Sequence, residues 1–138
     1  MEQYLSKKWG NKKVGSIGEQ ITAKYYKDQG FHILGFNYLK KWGEIDVIAE
    51  KAGKVYFIEV KTVSYETKHD LDRAITDKTW RPEENVHESK LKKLHRVIDT
   101  WLKDKKWIGD WQIDVAAVRI VPHETFATIK IIPNVILG

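Results

Sequence analysis

Residues 43 to 62 read GEIDVIAEKAGKVYFIEVKT, two runs rich in β-branched and aromatic side chains on either side of an Ala-Gly pair. Such runs favour strands, and a short break of small residues between them is typical of a β-hairpin. Successive strand residues face opposite sides of a sheet, so Glu59 and Lys61 are expected on one face together with Phe57. The hairpin therefore predicts a sheet with an acid and a base on one of its faces.

The length of the turn decides which residues of the two strands are neighbours. A two-residue turn at Ala52 and Gly53 places Asp46 directly opposite Glu59, and a four-residue loop makes the two carboxylates diagonal neighbours. A three-residue turn would place them on opposite faces and remove the basis for a joint site. Two of the three registers thus predict a pair of carboxylates on one face.

Carboxylates paired across strands repel each other, and Glu44 on the same face increases that repulsion. Lys61 supplies one positive charge, while clustered oxygen ligands beside an open face are what Mg²⁺ or Mn²⁺ prefers. A metal held in this way activates water and stabilises the charge that develops on a phosphodiester, and a nearby lysine can orient the nucleophile. The hairpin is a candidate hydrolytic site, with an ordinary surface charge pair between Glu59 and Lys61 as the alternative.

Helical and strand periodicities order the rest of the chain around the hairpin. Residues 16–29 are predicted as a helix, with Ser16 and Glu19 as a capping box and Gly30 as the stop. On the helical wheel Glu19 lies on the apolar side and is expected to point inward, unless it only caps the helix. The other predicted elements are strands at 31–38, 44–50, 54–62, 111–121 and 125–132, a long loop at 63–85 and a helix at 84–106. This order predicts an α/β fold, a central mixed β-sheet flanked by helices.

Length and composition are those of one soluble globular domain spanning residues 1–138, with 42% hydrophobic and 31% charged residues. No apolar run approaches the roughly 18 residues of a membrane span. The first residues lack a secretory-signal pattern, so a cytoplasmic location without membrane contact is expected. The absence of cysteine excludes disulfides, thiolate metal sites and cysteine nucleophiles.

The net charge of +5 favours a polyanionic partner. Residues 90–106 carry seven basic and two acidic side chains, so the net charge of this segment, +5, equals that of the whole chain. A second basic group lies in an N-terminal arm at 1–14. The residues expected to contact DNA phosphates are Lys7, Lys8, Lys12 and Lys13 of the arm and Lys92, Arg96 and Lys103 of the second helix. The alternative for both groups is a solvated helix face and a mobile tail.

Asp46 followed by Glu59-Val60-Lys61 resembles the core motif of the PD-(D/E)XK nucleases. Together with Gly18-Glu19 and Gly43-Glu44-Ile45-Asp46, these residues resemble the YraN-like family, which is related by fold to archaeal Holliday-junction resolvases. The resemblance covers roughly residues 14–121 and implies a restriction-endonuclease-like core. The implied metal ligands are Glu19, Asp46, Glu59 and Val60, and the implied catalytic group is Glu19, Asp46, Glu59, Lys61 and Lys90. The helical wheel independently places Lys90 in one row with core positions of its helix.

The expected function is that of a Mg²⁺- or Mn²⁺-dependent DNA endonuclease that acts on branched or damaged DNA in recombination or repair. Symmetric cutting of a four-way junction needs two active sites, which favours a homodimer. One alternative is a non-catalytic nucleic-acid-binding domain with a nuclease-like fold, although a phosphate binder gains nothing from an acidic pocket. Another is a protein-interaction domain that uses the apolar end at 129–137.

Overall fold

A computed structural model of the chain describes residues 2–5, 14–77 and 88–136. Most of the predicted elements are present, with ends shifted by a few residues. The elements are β1 (Glu2–Leu5), α1 (Val14–Asp28), β2 (His32–Lys40), β3 (Gly43–Lys51), β4 (Lys54–Ser64), α2 (Lys68–Asp77), α3 (Glu88–Asp104), β5 (Asp110–Val121), a short 3-10 helix (Pro122–Glu124) and β6 (Phe126–Ile132). Within these ranges, no helix combines the length and the apolar character that crossing a bilayer requires.

The strands form one sheet in the order β1-β6-β5-β4-β3-β2. Strands β4 and β5 are parallel and all other neighbours are antiparallel, so the predicted mixed sheet is confirmed. Helix α1 buries Ile17 and Ile21 against one face of the sheet. Helix α3 buries Val97 and Trp101 against Phe57 on the other face. The helices therefore flank the sheet and hold the central hairpin between two apolar layers.

The hairpin of β3 and β4 closes with the two-residue turn. Ala52 and Gly53 have φ values of 51° and 76°, the left-handed backbone that a tight hairpin turn with matched strand twist requires. The register pairs Val47 with Ile58, which is the register of the two-residue turn, and beyond this last pair the Val60 amide donates a hydrogen bond to the Asp46 carboxylate. The register that brings the two carboxylates together is thus the one that forms.

The prediction of a loop at 63–85 is wrong for its first part. Strand β4 continues to Ser64, and residues Lys68–Asp77 form helix α2. The sequence of this helix is mostly polar, but Leu71 and Ala74 lie one turn apart and are buried, and the Thr67 hydroxyl accepts a hydrogen bond from the Asp70 amide at the helix start. A short helix with so narrow an apolar stripe becomes stable through its packing on the sheet, which periodicity alone does not reveal.

Both ends of the first predicted helix can be compared with the structure. Ser16 lies inside α1, which already includes Val14, so the predicted capping box does not form. The predicted stop is confirmed, because Gly30 has a φ of 91° and the Phe31 amide donates back to the Tyr26 carbonyl at 3.0 Å. Glu19 is consequently free of a capping role and is available to the site.

The expected basic arm at 1–14 contains regular structure. Residues Glu2–Leu5 form strand β1, which pairs with β6 at the sheet edge. The sequence of this segment alone does not predict a strand, because a short edge strand forms through its pairing with the neighbouring strand. The four arm lysines at positions 7, 8, 12 and 13 lie outside the described residues.

Helix α1 approaches β4 closely at Gly18, where an added methyl group would overlap the Thr62 side chain. We expect Gly18→Ala to lower the free energy of unfolding by about 1–3 kcal/mol, because overpacking forces the helix away from the sheet. Gly15 lies in the same helix with open space around it, so Gly15→Ala should be neutral or slightly stabilising. Urea denaturation measures both effects. A Gly18→Ala loss that persists unchanged in a Thr62→Ala background would contradict the steric explanation.

Candidate active site

Three carboxylates converge where the start of β3 meets α1. Oxygen atoms of Glu19, Glu44 and Asp46 all lie within 4.8 Å of one another, and all three side chains are half-buried. Glu19 comes from the inward side of α1, as the helical wheel predicts, while the other two acids are two residues apart on β3. Hard oxygen ligands at this mutual spacing fit Mg²⁺ or Mn²⁺.

A break in strand alternation shapes this group. Ile45 packs in the core layer beside α3, whereas Val47 packs in the layer beside α1, although residues two apart in a regular strand share a face. The irregularity therefore lies at Asp46, between them. Irregularities of this kind in a strand change the direction in which side chains point and are common next to active sites. The sequence predicts Glu44 on the same face as Asp46 but not its close approach to Glu19, because that spacing depends on the local backbone geometry.

Asn37 of β2 contacts two of these acids, a role that the sequence does not predict. Its side-chain amide nitrogen donates hydrogen bonds to both Glu19 oxygens at 3.1 and 3.2 Å and to Glu44 Oε1 at 2.9 Å. The residue has a left-handed backbone with a φ of 48°. A single asparagine within a predicted strand carries no sequence signal of such a role.

Glu59 and two lysines form the second half of the site. Glu59 is only 7% exposed, and its Oε1 lies 2.5 Å from Lys90 Nζ and 3.4 Å from Lys61 Nζ. Lys90 reaches the sheet from the first turn of α3, in the row that also holds Leu94 and Trp101 as predicted. Two ammonium groups compensate a buried carboxylate, which would otherwise be costly to ionise.

Asp46 links the two halves. The Val60 amide donates a hydrogen bond to Asp46 Oδ2 at 2.8 Å, so the backbone of β4 fixes this carboxyl beside Glu59. Burial and the negative charges of Glu59, Glu19 and Glu44 together raise the pKa of Asp46 to about 7, although the hydrogen bond from the Val60 amide opposes this rise. Val60 itself, which the family resemblance implies as a ligand, thus lies next to the acidic group through its backbone.

The remaining ionisable groups of the site are shifted for related reasons. Burial raises the pKa of Glu19, and the neighbouring acids add to this while Asn37 opposes it. Burial lowers the pKa of Lys61, and the nearby Lys90 lowers it further. Burial also lowers the pKa of Lys90, but the hydrogen bonds to Glu59 and Lys61 and the negative charges of Glu59 and Asp46 together outweigh it and leave this pKa above its usual value. Several shifted pKa values within one cluster of side chains are typical of functional sites.

Three further basic residues of α3, apart from Lys90, lie on the exposed surface of the helix. Lys92, Arg96 and Lys103 are all exposed, and the Arg96 guanidinium lies 4.7 Å from the centre of the Trp42 ring. Lys92 also borders a cavity of about 420 Å³ beside Trp111. The structure therefore places these three residues on the same helix as Lys90 but outside the cluster of acidic side chains.

The fold and this arrangement define a protein with a restriction-endonuclease-like core of the PD-(D/E)XK nuclease-like superfamily. The model of the family described as "Uncharacterised protein family UPF0102" matches residues 18–118, and the chain belongs to this family. The family is the YraN-like one, so the resemblance drawn from the motifs is confirmed.

Similar proteins from distant bacteria carry the same family name. A UPF0102 protein of Alkaliphilus oremlandii is 36% identical over 115 residues, which cover 80% of this chain and 88% of that protein. One from Dictyoglomus turgidum is 28% identical over 125 residues, covering 90% and 97%. One from Mycolicibacterium vanbaalenii is 33% identical over 110 residues, covering 78% and 80%. Residues 18–118, which the family model matches, contain both halves of the site.

Proposed function

We propose that this protein is a Mg²⁺- or Mn²⁺-dependent endodeoxyribonuclease that hydrolyses phosphodiester bonds in branched or damaged DNA, as a cytoplasmic enzyme of recombination or repair. The observation that carries the proposal is the convergence of three carboxylates with the Glu59, Lys61 and Lys90 ion cluster on the central hairpin. A purely structural role without a bound cation does not account for so many acids at one place, because each negative charge makes ionisation of the other carboxyls less favourable.

The metal would be held by Glu19, Asp46, Glu59 and Val60, the set that the family resemblance implies, and the position of Glu44 adds this residue as a further ligand. When bound there, it would lower the pKa of a coordinated water and neutralise charge on the phosphodiester. The side-chain ligands fit this role because all of them are carboxylates. In the carboxylate triad of Glu19, Glu44 and Asp46, the oxygens already lie within 4.8 Å of one another.

The protein's own groups would orient the reactants. Glu59 holds Lys61 at the site, and the lowered pKa of Lys61 makes its Nζ a group that can exchange a proton with an attacking water. Lys90, with its raised pKa, keeps its proton and supplies a fixed positive charge beside the site. In this division of roles Lys61 serves the nucleophile, while Lys90 stabilises negative charge on the phosphate.

DNA would lie across α3 and the N-terminal segment. Lys92, Arg96 and Lys103 are exposed on one helix and match a phosphate backbone in charge. The arm lysines Lys7, Lys8, Lys12 and Lys13 would add further phosphate contacts. Such contacts give affinity that falls steeply with salt, while the chemistry stays with the acidic cluster.

The proposal predicts metal-dependent cutting that requires Glu59. End-labelled linear, single-stranded, flap and four-way DNA are incubated with Mg²⁺, Mn²⁺ or EDTA and either the wild type or Glu59→Gln. We expect cleavage by the wild type with metal only, a preference for a branched substrate, and a loss of about a hundredfold in the variant. The matched control is Glu66→Gln, because Glu66 is a highly exposed acid just beyond β4.

No cutting of any substrate by the wild type, together with DNA binding that Glu59→Gln leaves unchanged, would favour the non-catalytic nucleic-acid binder instead. The molar mass of the protein bound to four-way DNA can be measured by light scattering after size-exclusion chromatography. A homodimer on four-way DNA is expected for symmetric cutting, and a monomer alone would contradict that part of the proposal.

A further inference from the structure

Asn37 occupies an unusual position in β2. Its neighbours Phe36 and Tyr38 pair with Val47 and Ile45, so Asn37 lies across from Asp46. Strand residues normally have a strongly negative φ, but Asn37 has a φ of 48°. A non-glycine residue in this region is uncommon, and backbone strain of this kind concentrates where a side chain must be held in one place.

The side chain of Asn37 shows what the unusual backbone achieves. One amide nitrogen lies within hydrogen-bond distance of Glu19, from α1, and of Glu44, from β3. The amide has two N–H donors, so it can serve both carboxylates at once. It therefore joins two acids that come from different elements and that would otherwise move apart by mutual repulsion.

We infer that Asn37 is a positioning residue, which fixes the Glu19 and Glu44 carboxylates at the spacing that a divalent cation needs. The inference rests on the metal-dependent function proposed above. Each carboxylate retains lone pairs for a cation, because an ionised carboxylate has about four acceptor sites and the amide uses only some of them. Partners that hold ligands in this way typically change metal affinity by about ten- to a hundredfold when removed.

The test separates the amide from the backbone conformation. Asn37→Gly removes the amide and tolerates a positive φ, whereas Asn37→Ala removes the amide without the added freedom of glycine. The matched control is Asn134→Gly, because Asn134 has a φ of 53° and lies beyond β6, where its backbone amide donates to Asp114. Mn²⁺ affinity is measured by electron paramagnetic resonance of the free ion, and folding by thermal melts in EDTA.

We expect both Asn37 variants to bind Mn²⁺ about ten- to a hundredfold more weakly than the wild type, with Asn134→Gly unchanged. Asn37→Gly should melt close to Asn134→Gly, which would show that the loss does not come from unfolding. Equal Mn²⁺ affinity in Asn37→Gly and the wild type would overturn the inference and leave the proposed function intact. A wild type that binds no Mn²⁺ would overturn both.

Discussion

Asp46→Asn is expected to raise the melting temperature of the metal-free protein by about 5 °C at pH 8 and to reduce metal-dependent cleavage at least about a thousandfold. Asp46 is the member of the carboxylate triad of Glu19, Glu44 and Asp46 that is fixed beside Glu59, and its pKa of about 7 means that its negative charge is unfavourable in the folded protein. Asparagine keeps the size and the acceptor for the Val60 amide but carries no charge. The substitution therefore removes both the repulsion and one of the proposed metal ligands.

The effect on stability has a defined pH dependence. The pKa of Asp46 rises from 3.8 in the unfolded chain to about 7 in the folded one, so the folded protein binds the proton more tightly. Between about pH 4 and pH 7 the unfolded state releases this proton first, and the free energy of unfolding must fall as the pH rises. Above about pH 7 the full cost is present, on the order of 2 kcal/mol after allowance for relaxation. In EDTA the wild type should lose stability from pH 5 to pH 8, and Asp46→Asn should lose less.

Thermal melts with and without Mn²⁺ provide the check. A ligand that binds only the folded state raises the melting temperature, so Mn²⁺ should stabilise the wild type more than Asp46→Asn. Glu50→Gln is the matched control, because Glu50 is a half-buried acid on the same strand, beyond the site. If Asp46→Asn proved less stable than the wild type at pH 8 in EDTA, Asp46 would have a structural role that outweighs its repulsion.

The sequence was sufficient for the parts of the site that depend on local periodicity. The Ala-Gly turn limits the hairpin to few registers, and alternation then places Glu59 and Lys61 on the face that Phe57 shares. Helical periodicity places Glu19 and Lys90 on inward rows in the same way. These relations hold within one element or one turn, where backbone geometry fixes side-chain direction.

The parts that the sequence did not predict depend on contacts between elements. Asn37 meets Glu19 and Glu44 because α1, β2 and β3 pack together, and its left-handed backbone is selected by that packing. The break in alternation at Asp46 likewise appears only when Ile45 and Val47 enter different core layers. Helix α2 is not predicted from the sequence because its apolar periodicity is weak and its stability comes from packing on the sheet.

Lys61→Met is expected to reduce cleavage by about a hundred- to a thousandfold while Mn²⁺ affinity stays equal or becomes slightly tighter. Lys61 Nζ lies beside Glu59 rather than among the triad oxygens, so it is not a competitor for their ligand positions. Its positive charge repels a nearby cation, and methionine removes that charge while keeping the length of the side chain. Removing a group that acts only on the reacting water would therefore lower kcat without weakening metal binding.

This separation of binding from catalysis distinguishes Lys61 from the acids, whose loss should weaken both. Single-turnover cleavage at saturating Mn²⁺ measures the chemical step, and a Mn²⁺ titration of the same protein measures the site. Lys54→Met is the matched control, because Lys54 begins the same strand and its ammonium group lies over the Tyr56 ring, away from the acids. Full activity in Lys61→Met would mean that the lysine only neutralises Glu59, a role that Lys90 at 2.5 Å from the same oxygen can fill alone.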